Sequence, residues 1–239
     1  TDGKFVAISW EEALSLASEK MKSGRTTFVA GDLVSVEALY AASELCEYLE
    51  GSKMLGDFGA SCTLSDRSYY VGNGKIEDID NVENIILLGA NPKKEASVIN
   101  ARIRKAWLSG ANVLRLGLQE NLTYEVEELG CSFFDFQVFL NKMLSKKSFW
   151  AETLILVGYS FINCKSSSAA LNTVRSIVEK YKSKFLVLHP NASAVASLDL
   201  GFEAGSGLKQ KLFSNTNVVY TLGCDTVVPS KECFVIYQG

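Results

Sequence analysis

The chain has 239 residues, with 24 Lys+Arg, 27 Asp+Glu, a single His and a formal net charge of −3. Its 47% apolar and 21% charged content is that of a globular protein, not a disordered or collagen-like one. The slight acidity argues against a nucleic-acid binder, which needs clustered cations to displace phosphate counterions. The longest apolar runs are strand-sized, far below the roughly 20 residues of a membrane-crossing helix.

Read in order, the chain alternates strands and helices. Ser9-Trp10-Glu11-Glu12 is a capping box that opens a helix to about Lys22. TTFVA at 26–30 is a strand ending at Gly31. Leu39, Ala42, Leu45, Cys46 and Leu49 recur at helical spacing over 35–50, with Gly51 placed to terminate the helix. Lys53 to Leu55 reads as a short strand, and the polar, Gly-rich stretch 57–80 carries no clear element. NIILL at 84–88 is a strand ending at Gly89. Asn91 then caps a helix with Pro92 in its first position and a buried stripe of Ile99, Ile103, Ala106 and Trp107, ended by Gly110. Further strands are expected at 113–116, 153–157, 185–188, 218–222 and 233–237, and helices at 136–144, 171–181 and 192–199. The apolar run at 233–237 is followed only by Gln238 and Gly239, which leads us to expect a piece of a longer protein. Continuously apolar strands alternating with helices specify an α/β fold with a parallel sheet covered on both faces.

Four apolar runs end in glycine, at Gly31, Gly89, Gly158 and Gly223. In a parallel sheet these lie at the carboxyl edge, where ligands of open α/β sheets bind, and glycine there permits a tight turn or a close approach. At 89–94 the sequence Gly-Ala-Asn-Pro-Lys-Lys puts Lys93 and Lys94 in the first helical turn, against the helix dipole. That placement is unfavourable unless an anion or an acidic partner faces it. Arg102, Arg104 and Lys105 agree with the dipole and are suited to bidentate contacts with carboxylates of a partner subunit.

Familiar catalytic patterns are missing. There is no phosphate loop of the G-x-x-x-x-G-K-[ST] type and no nucleophile elbow; Gly72-Asn73-Gly74 and Gly205-Ser206-Gly207 are only partial dinucleotide fingerprints. The one histidine, His189, cannot build a metal cluster and has no evident catalytic partner. The cysteines at 46, 62, 131, 164, 224 and 233 form no C-x-x-C pair and read as reduced, mostly buried thiols; Cys62 alone sits in an obviously irregular stretch. No catalytic residue, cofactor-binding residue or metal ligand is therefore assigned from the residues themselves.

The run GANPKKEASVINARIRKAWL at 89–108 resembles the G-x-N-P-R-x-E-A-x-x-x-N-A-R-I-R-K segment of the large iron–sulfur subunits of respiratory complex I, the NADH:quinone oxidoreductases. SWEEAL (9–14), FVAGD (28–32), NLTYEVEELG (121–130), ASAVASLDLGF (193–202), LGCD (222–225) and ECFVIYQG (232–239) agree in the same order, so the resemblance spans the whole chain. It implies the molybdopterin-oxidoreductase-like part of such a subunit: two Rossmann-like three-layer lobes with mainly parallel sheets, one inserted in the other. The boundaries expected are 1–58 and 149–239 for the first lobe and 59–148 for the inserted one. It also implies a structural module of the hydrophilic arm that passes electrons from NADH to quinone. Iron–sulfur clusters would lie in upstream domains, with no cluster and no molybdenum cofactor in this segment, which would not be catalytic alone. The implied partners are other hydrophilic-arm subunits, with neither nucleic acid nor direct membrane insertion. The implied place is peripheral, on the cytoplasmic side of a bacterial inner membrane or the matrix side of the mitochondrial one. The competing reading is an active, formate-dehydrogenase-like molybdopterin enzyme in which Gly89, Asn91 and Pro92 face the cofactor. A third is an unrelated nucleotide-binding α/β enzyme.

Overall fold

The computed structural model describes residues 5–56, 67–162, 167–204, 215–226 and 232–239. The chain separates into two compact units, one formed by Thr1–Gly59 and Asn191–Gly239, the other by Ala60–Pro190.

The first unit opens with α1 (Trp10–Ser23). Its capping box is formed as expected: the Glu12 amide donates to Ser9 Oγ at 3.2 Å and the Ser9 amide to Glu12 Oε2 at 2.9 Å. Strand β1 (Thr26–Ala30) follows, then α2 (Val36–Tyr48), capped by Ser35, and β2 (Lys53–Gly56). Leu49, rather than a glycine, is the C-cap of α2; Gly51 turns the chain two residues later with φ 73°.

The second unit begins with the one-turn α3 (Ser68–Val71) and a 3₁₀ turn at Ile76–Asn81. Strand β3 (Asn84–Leu88) leads to α4 (Pro92–Glu95) and α5 (Ser97–Leu108). These two were expected as one helix. Ala96 breaks it with φ −156° and ψ 77°, so Lys93 and Lys94 belong to a single isolated turn. Strand β4 (Asn112–Leu116) is followed by β5 (Glu127–Gly130), α6 (Phe133–Met143) and α7 (Lys147–Ala151). Then come β6 (Thr153–Val157), α8 (Tyr159–Ile162), α9 (Ser167–Tyr181) and β7 (Lys184–Val187). Back in the first unit are α10 (Ala194–Asp199), β8 (Glu203–Ala204), β9 (Val218–Leu222) and β10 (Phe234–Gln238). Several elements had no expected counterpart: β5, whose EELG lacks an apolar run, the two-residue β8, the 3₁₀ turn at Ile76–Asn81, and the short α3, α7 and α8.

Each unit holds a five-stranded, all-parallel sheet, ordered β10-β9-β1-β2-β8 in the first and β5-β4-β3-β6-β7 in the second. In both, the earliest strand is central, and strand order reverses beside it, as in the Rossmann arrangement. The second crossing between units differs from the expected boundary at 148/149 and falls at 190/191. The reason is a free sheet edge: β6 pairs along β3 from Asn84↔Thr153 to Leu88↔Val157, and β7 continues from β6. The Gly158 strand thus belongs with the Gly89 strand, not with those of Gly31 and Gly223.

The strands of the second sheet are apolar throughout because both faces are covered. Ile86, Leu88, Ile155 and Val157 pack under Phe136, Phe139, Leu171 and Val174, and on the opposite face Ile85, Leu87, Leu154 and Leu156 pack under Ile103 and Ala106. Trp150 is fully buried among Phe139, Phe149 and Tyr181 and donates its indole N–H to the Met143 carbonyl at 3.0 Å. In the first unit Phe28, Ala30 and Leu222 meet Leu39 and Ala42 of α2.

Candidate functional site

At the carboxyl edge of each sheet, beside the central strand, the chain places two of the four strand-ending glycines against one another. In the first unit a Cβ on Gly31 would lie 1.8 Å from the Gly223 carbonyl oxygen. In the second, a Cβ on Gly158 would lie 2.4 Å from both the Gly89 oxygen and the Ala90 Cα. Both pairs sit where strand order reverses, the position at which open α/β sheets take ligands.

The second unit's edge carries the GANPKK turn. Gly89 (φ 55°) donates its amide to the Leu116 carbonyl at 2.7 Å and accepts from Ser160 Oγ at 2.6 Å. The Gly158 amide is committed to the Leu88 carbonyl at 2.9 Å. Asn91 is engaged through backbone and side chain alike: its amide donates to Glu95 Oε1 at 2.6 Å, its Nδ2 to Glu120 Oε2, and its Oδ1 accepts from the Lys94 amide at 3.4 Å. The other Glu95 oxygen accepts from the Tyr159 amide at 3.4 Å, so this carboxylate bridges the loops after β3 and β6. Lys94 Nζ is 2.9 Å from Glu120 Oε2, and Lys93 Nζ reaches the Asn121 carbonyl at 3.4 Å. The sequence leaves open an anion, an acidic partner, or two solvated lysines partly offset by Glu95; here the carboxylate that meets Lys94 is the chain's own Glu120. The Glu120 carboxyl is held below its ordinary range, through the Lys94 hydrogen bond first and then the Lys94 charge, the Asn91 amide and the Arg115 charge.

Glu120 is itself held in place. The buried Arg115 donates to the Glu120 carbonyl at 2.6 Å and forms a two-point pair with Glu128 of β5. From α5, Arg104 donates to the Thr123 carbonyl and Asn100 Nδ2 to Thr123 Oγ1 at 3.2 Å. Arg102 Nη1 pairs with Asp80 at 2.6 Å and Lys105 Nζ lies 3.8 Å from the same carboxylate. The cations of the N-A-R-I-R-K run, suited by sequence to a partner's carboxylates but not in need of them, clamp the chain's own 3₁₀ turn and the loop after β4.

A cleft of about 250 Å³ opens beside the turn, lined by Gly89, Gly117, Cys131, Ser132, Ser160 and Phe161 among others. Two amides of its wall are engaged: those of Cys131 and Ser132 donate to Asp135 Oδ2 at 3.0 and 2.9 Å, completing the capping box of α6. These bonds hold the Asp135 carboxyl below its ordinary range, the Ser132 hydroxyl contributing most.

His189 lies in the same unit, with Nε2 2.5 Å from the Tyr70 carbonyl. Burial pushes its imidazole pKa down, favouring the neutral ring, and that bond partly opposes the shift; facing a carbonyl, Nε2 is the donor. Gly72, of the partial Gly72-Asn73-Gly74 fingerprint, bridges to Leu186 of β7, away from any strand-to-helix turn. Cys62 and the Gly205-Ser206-Gly207 run lie outside the described residues. Among the described residues no group of three His, Cys, Asp or Glu is placed to hold a metal ion, and no helix is long and apolar enough to cross a membrane.

Two parallel sheets, each pinched by glycines where its strand order reverses, define the class: a double Rossmann-type α/β scaffold. The family model for molybdopterin oxidoreductases matches residues 1–239, and the chain belongs to that family. It is 30% identical over 254 residues to a NADH-quinone oxidoreductase subunit of Rickettsia typhi, an alignment covering all of this chain and 37% of that one. Over 258 residues it is 32% identical to the mitochondrial NADH-ubiquinone oxidoreductase 78 kDa subunit of Candida albicans, covering 99% of this chain and 35% of that one. The chain thus spans little more than a third of the length of these relatives. A chain in the crystal structure of the formyltransferase/hydrolase complex of Methylorubrum extorquens with methylofuran shares the fold. It has a TM-score of 0.66 at 15% identity, covering 98% of this chain and 79% of that one.

The family name implies a pterin cofactor, and the residues named for it are Gly89, Asn91 and Pro92. They do not fit one as arranged here. Pro92 is buried, the polar groups of Gly89 and Asn91 are spent within the chain, and the space a Gly89 side chain would need is taken by Ser160 and Phe161, 2.7 Å from a Cβ.

Proposed function

We propose that this chain is the structural, molybdopterin-oxidoreductase-like module of a large iron–sulfur subunit of NADH:quinone oxidoreductase, within the arm that carries electrons from NADH to quinone. The observation behind this reading is the match over the chain's entire length to subunits of that enzyme from a bacterium and from mitochondria. In this reading the segment binds neither a cluster nor a molybdenum cofactor, and the iron–sulfur clusters belong to domains upstream. Its partners are the other hydrophilic-arm subunits. Its place is peripheral, on the cytoplasmic face of a bacterial inner membrane or the matrix face of the mitochondrial one.

The test uses the full-length protein purified from its native host. Elemental analysis is expected to show iron without molybdenum, and the protein to co-purify with NADH-oxidising activity. One equivalent of molybdenum per chain would reject this reading in favour of an active molybdopterin enzyme. Purification apart from any NADH-oxidising assembly would also reject the proposal.

A further inference from the structure

We infer that Glu95 and Glu120 are resident anions, occupying with their own carboxylates the carboxyl-edge positions where a ligand's acidic group would otherwise be bound. The inference rests on the structural-module reading and gives its physical means.

Three loops leave adjacent strands β4, β3 and β6 at this edge. Glu95 accepts from the Asn91 amide of one loop (2.6 Å) and the Tyr159 amide of another (3.4 Å). Glu120, from the third, takes Lys94 Nζ (2.9 Å) and Asn91 Nδ2. Asn91 is the hub, facing one carboxylate with its backbone and the other with its side chain. Two backbone amides, a carboxamide and an ammonium are the donors that phosphate or carboxylate ligands take. Here each meets a side chain of the chain itself. Ser160 Oγ on the Gly89 carbonyl, at 2.6 Å, draws the loops after β3 and β6 together a second time. The carboxylates do two things at once: they neutralise the lysine that the isolated turn places there, and they hold the three loops shut.

A resident anion can be removed and replaced from solution. Glu95→Ala in the full-length protein is expected to speed amide exchange in peptides spanning 89–92 and 158–160 by about tenfold, about 1.4 kcal/mol of local protection. Acetate or inorganic phosphate, at constant ionic strength, should restore that protection in Glu95→Ala and leave the parent protein unaffected. Glu95→Gln keeps the volume and one acceptor, so it should loosen less and respond to neither anion. Unchanged exchange in Glu95→Ala, loosening indifferent to both anions, or an equal response of the parent protein would each overturn the inference. Molybdenum content is not read in this experiment, so failure here is distinct from failure of the structural-module reading.

Discussion

Gly158→Ala tests the contact on which the second unit's edge is built. The added Cβ would sit 2.4 Å from the Ala90 Cα and the Gly89 oxygen, about 1 Å inside the 3.4 Å at which ordinary van der Waals contact begins. Both are backbone atoms, so no side-chain rotation relieves the clash. The ends of β3 and β6 must separate, which also strains the bond from the Gly158 amide to the Leu88 carbonyl. Overpacking of this kind costs about 1–3 kcal/mol, and the rigid obstacle puts this site near 3. For a segment of this size that lowers its own unfolding midpoint by roughly 6–12 °C. Scanning calorimetry of parent and variant measures it. Ala90→Gly, which removes only the Ala90 Cβ at 2.8 Å, should fail to rescue the variant. A shift within about 1 °C, or full rescue by Ala90→Gly, would show that the two strand ends do not meet in this way.

The charged groups carry the remaining expected outcomes. Because burial lowers the His189 pKa from 6.5, the unfolded chain takes up a proton before the folded one as pH falls. Stability should therefore decline below about pH 6.5, and His189→Gln should flatten that decline in urea midpoints compared at about pH 7.5 and about pH 5.5. The carboxyls of Glu12, Glu120 and Asp135, lowered in the fold, lose their contribution only at more acidic pH, starting near 4.5 for the glutamates and 3.8 for the aspartate. Arg102→Glu breaks the pair with Asp80 and sets like charges together; with Arg102 about 39% exposed, the loss should be about 1 kcal/mol of the segment's own stability. Native electrophoresis of the assembled enzyme should show no loss of partners. An unchanged unfolding midpoint with a dissociated arm would instead give Arg102 an intermolecular role.

How much of the fold is legible in the sequence depends on the range of the interaction. The capping box at Ser9–Glu12, the Asn91–Pro92 helix start and the apolar runs at 26–30, 84–88 and 153–157 express local rules, where a cap or a buried strand declares itself within a few residues. The break at Ala96 carries no proline or glycine and is hidden inside a good helical stripe. β5 is visible only through its partner: none of the residues in its EELG is buried, and the pairing with β4 makes it a strand.

The candidate site divides in the same way. Four glycine-ended strands are evident one by one, and so is the awkward placement of Lys93 and Lys94. Glu95, four residues from the capping Asn91, leaves a faint local trace. Glu120 leaves none, because a carboxylate that answers a lysine on a different loop has no spacing by which to be recognised. Which glycines pair, and therefore that 153–187 joins the sheet of 84–130, was decided by a sheet edge open to the next strand. By itself the order of residues determined where strands and helices form and that the fold is parallel α/β, since those depend on periodicity and capping over a few turns. Strand neighbours, unit boundaries and the carboxylates that close the edge were decided only in three dimensions, where burial and ion pairing act between residues far apart in the chain.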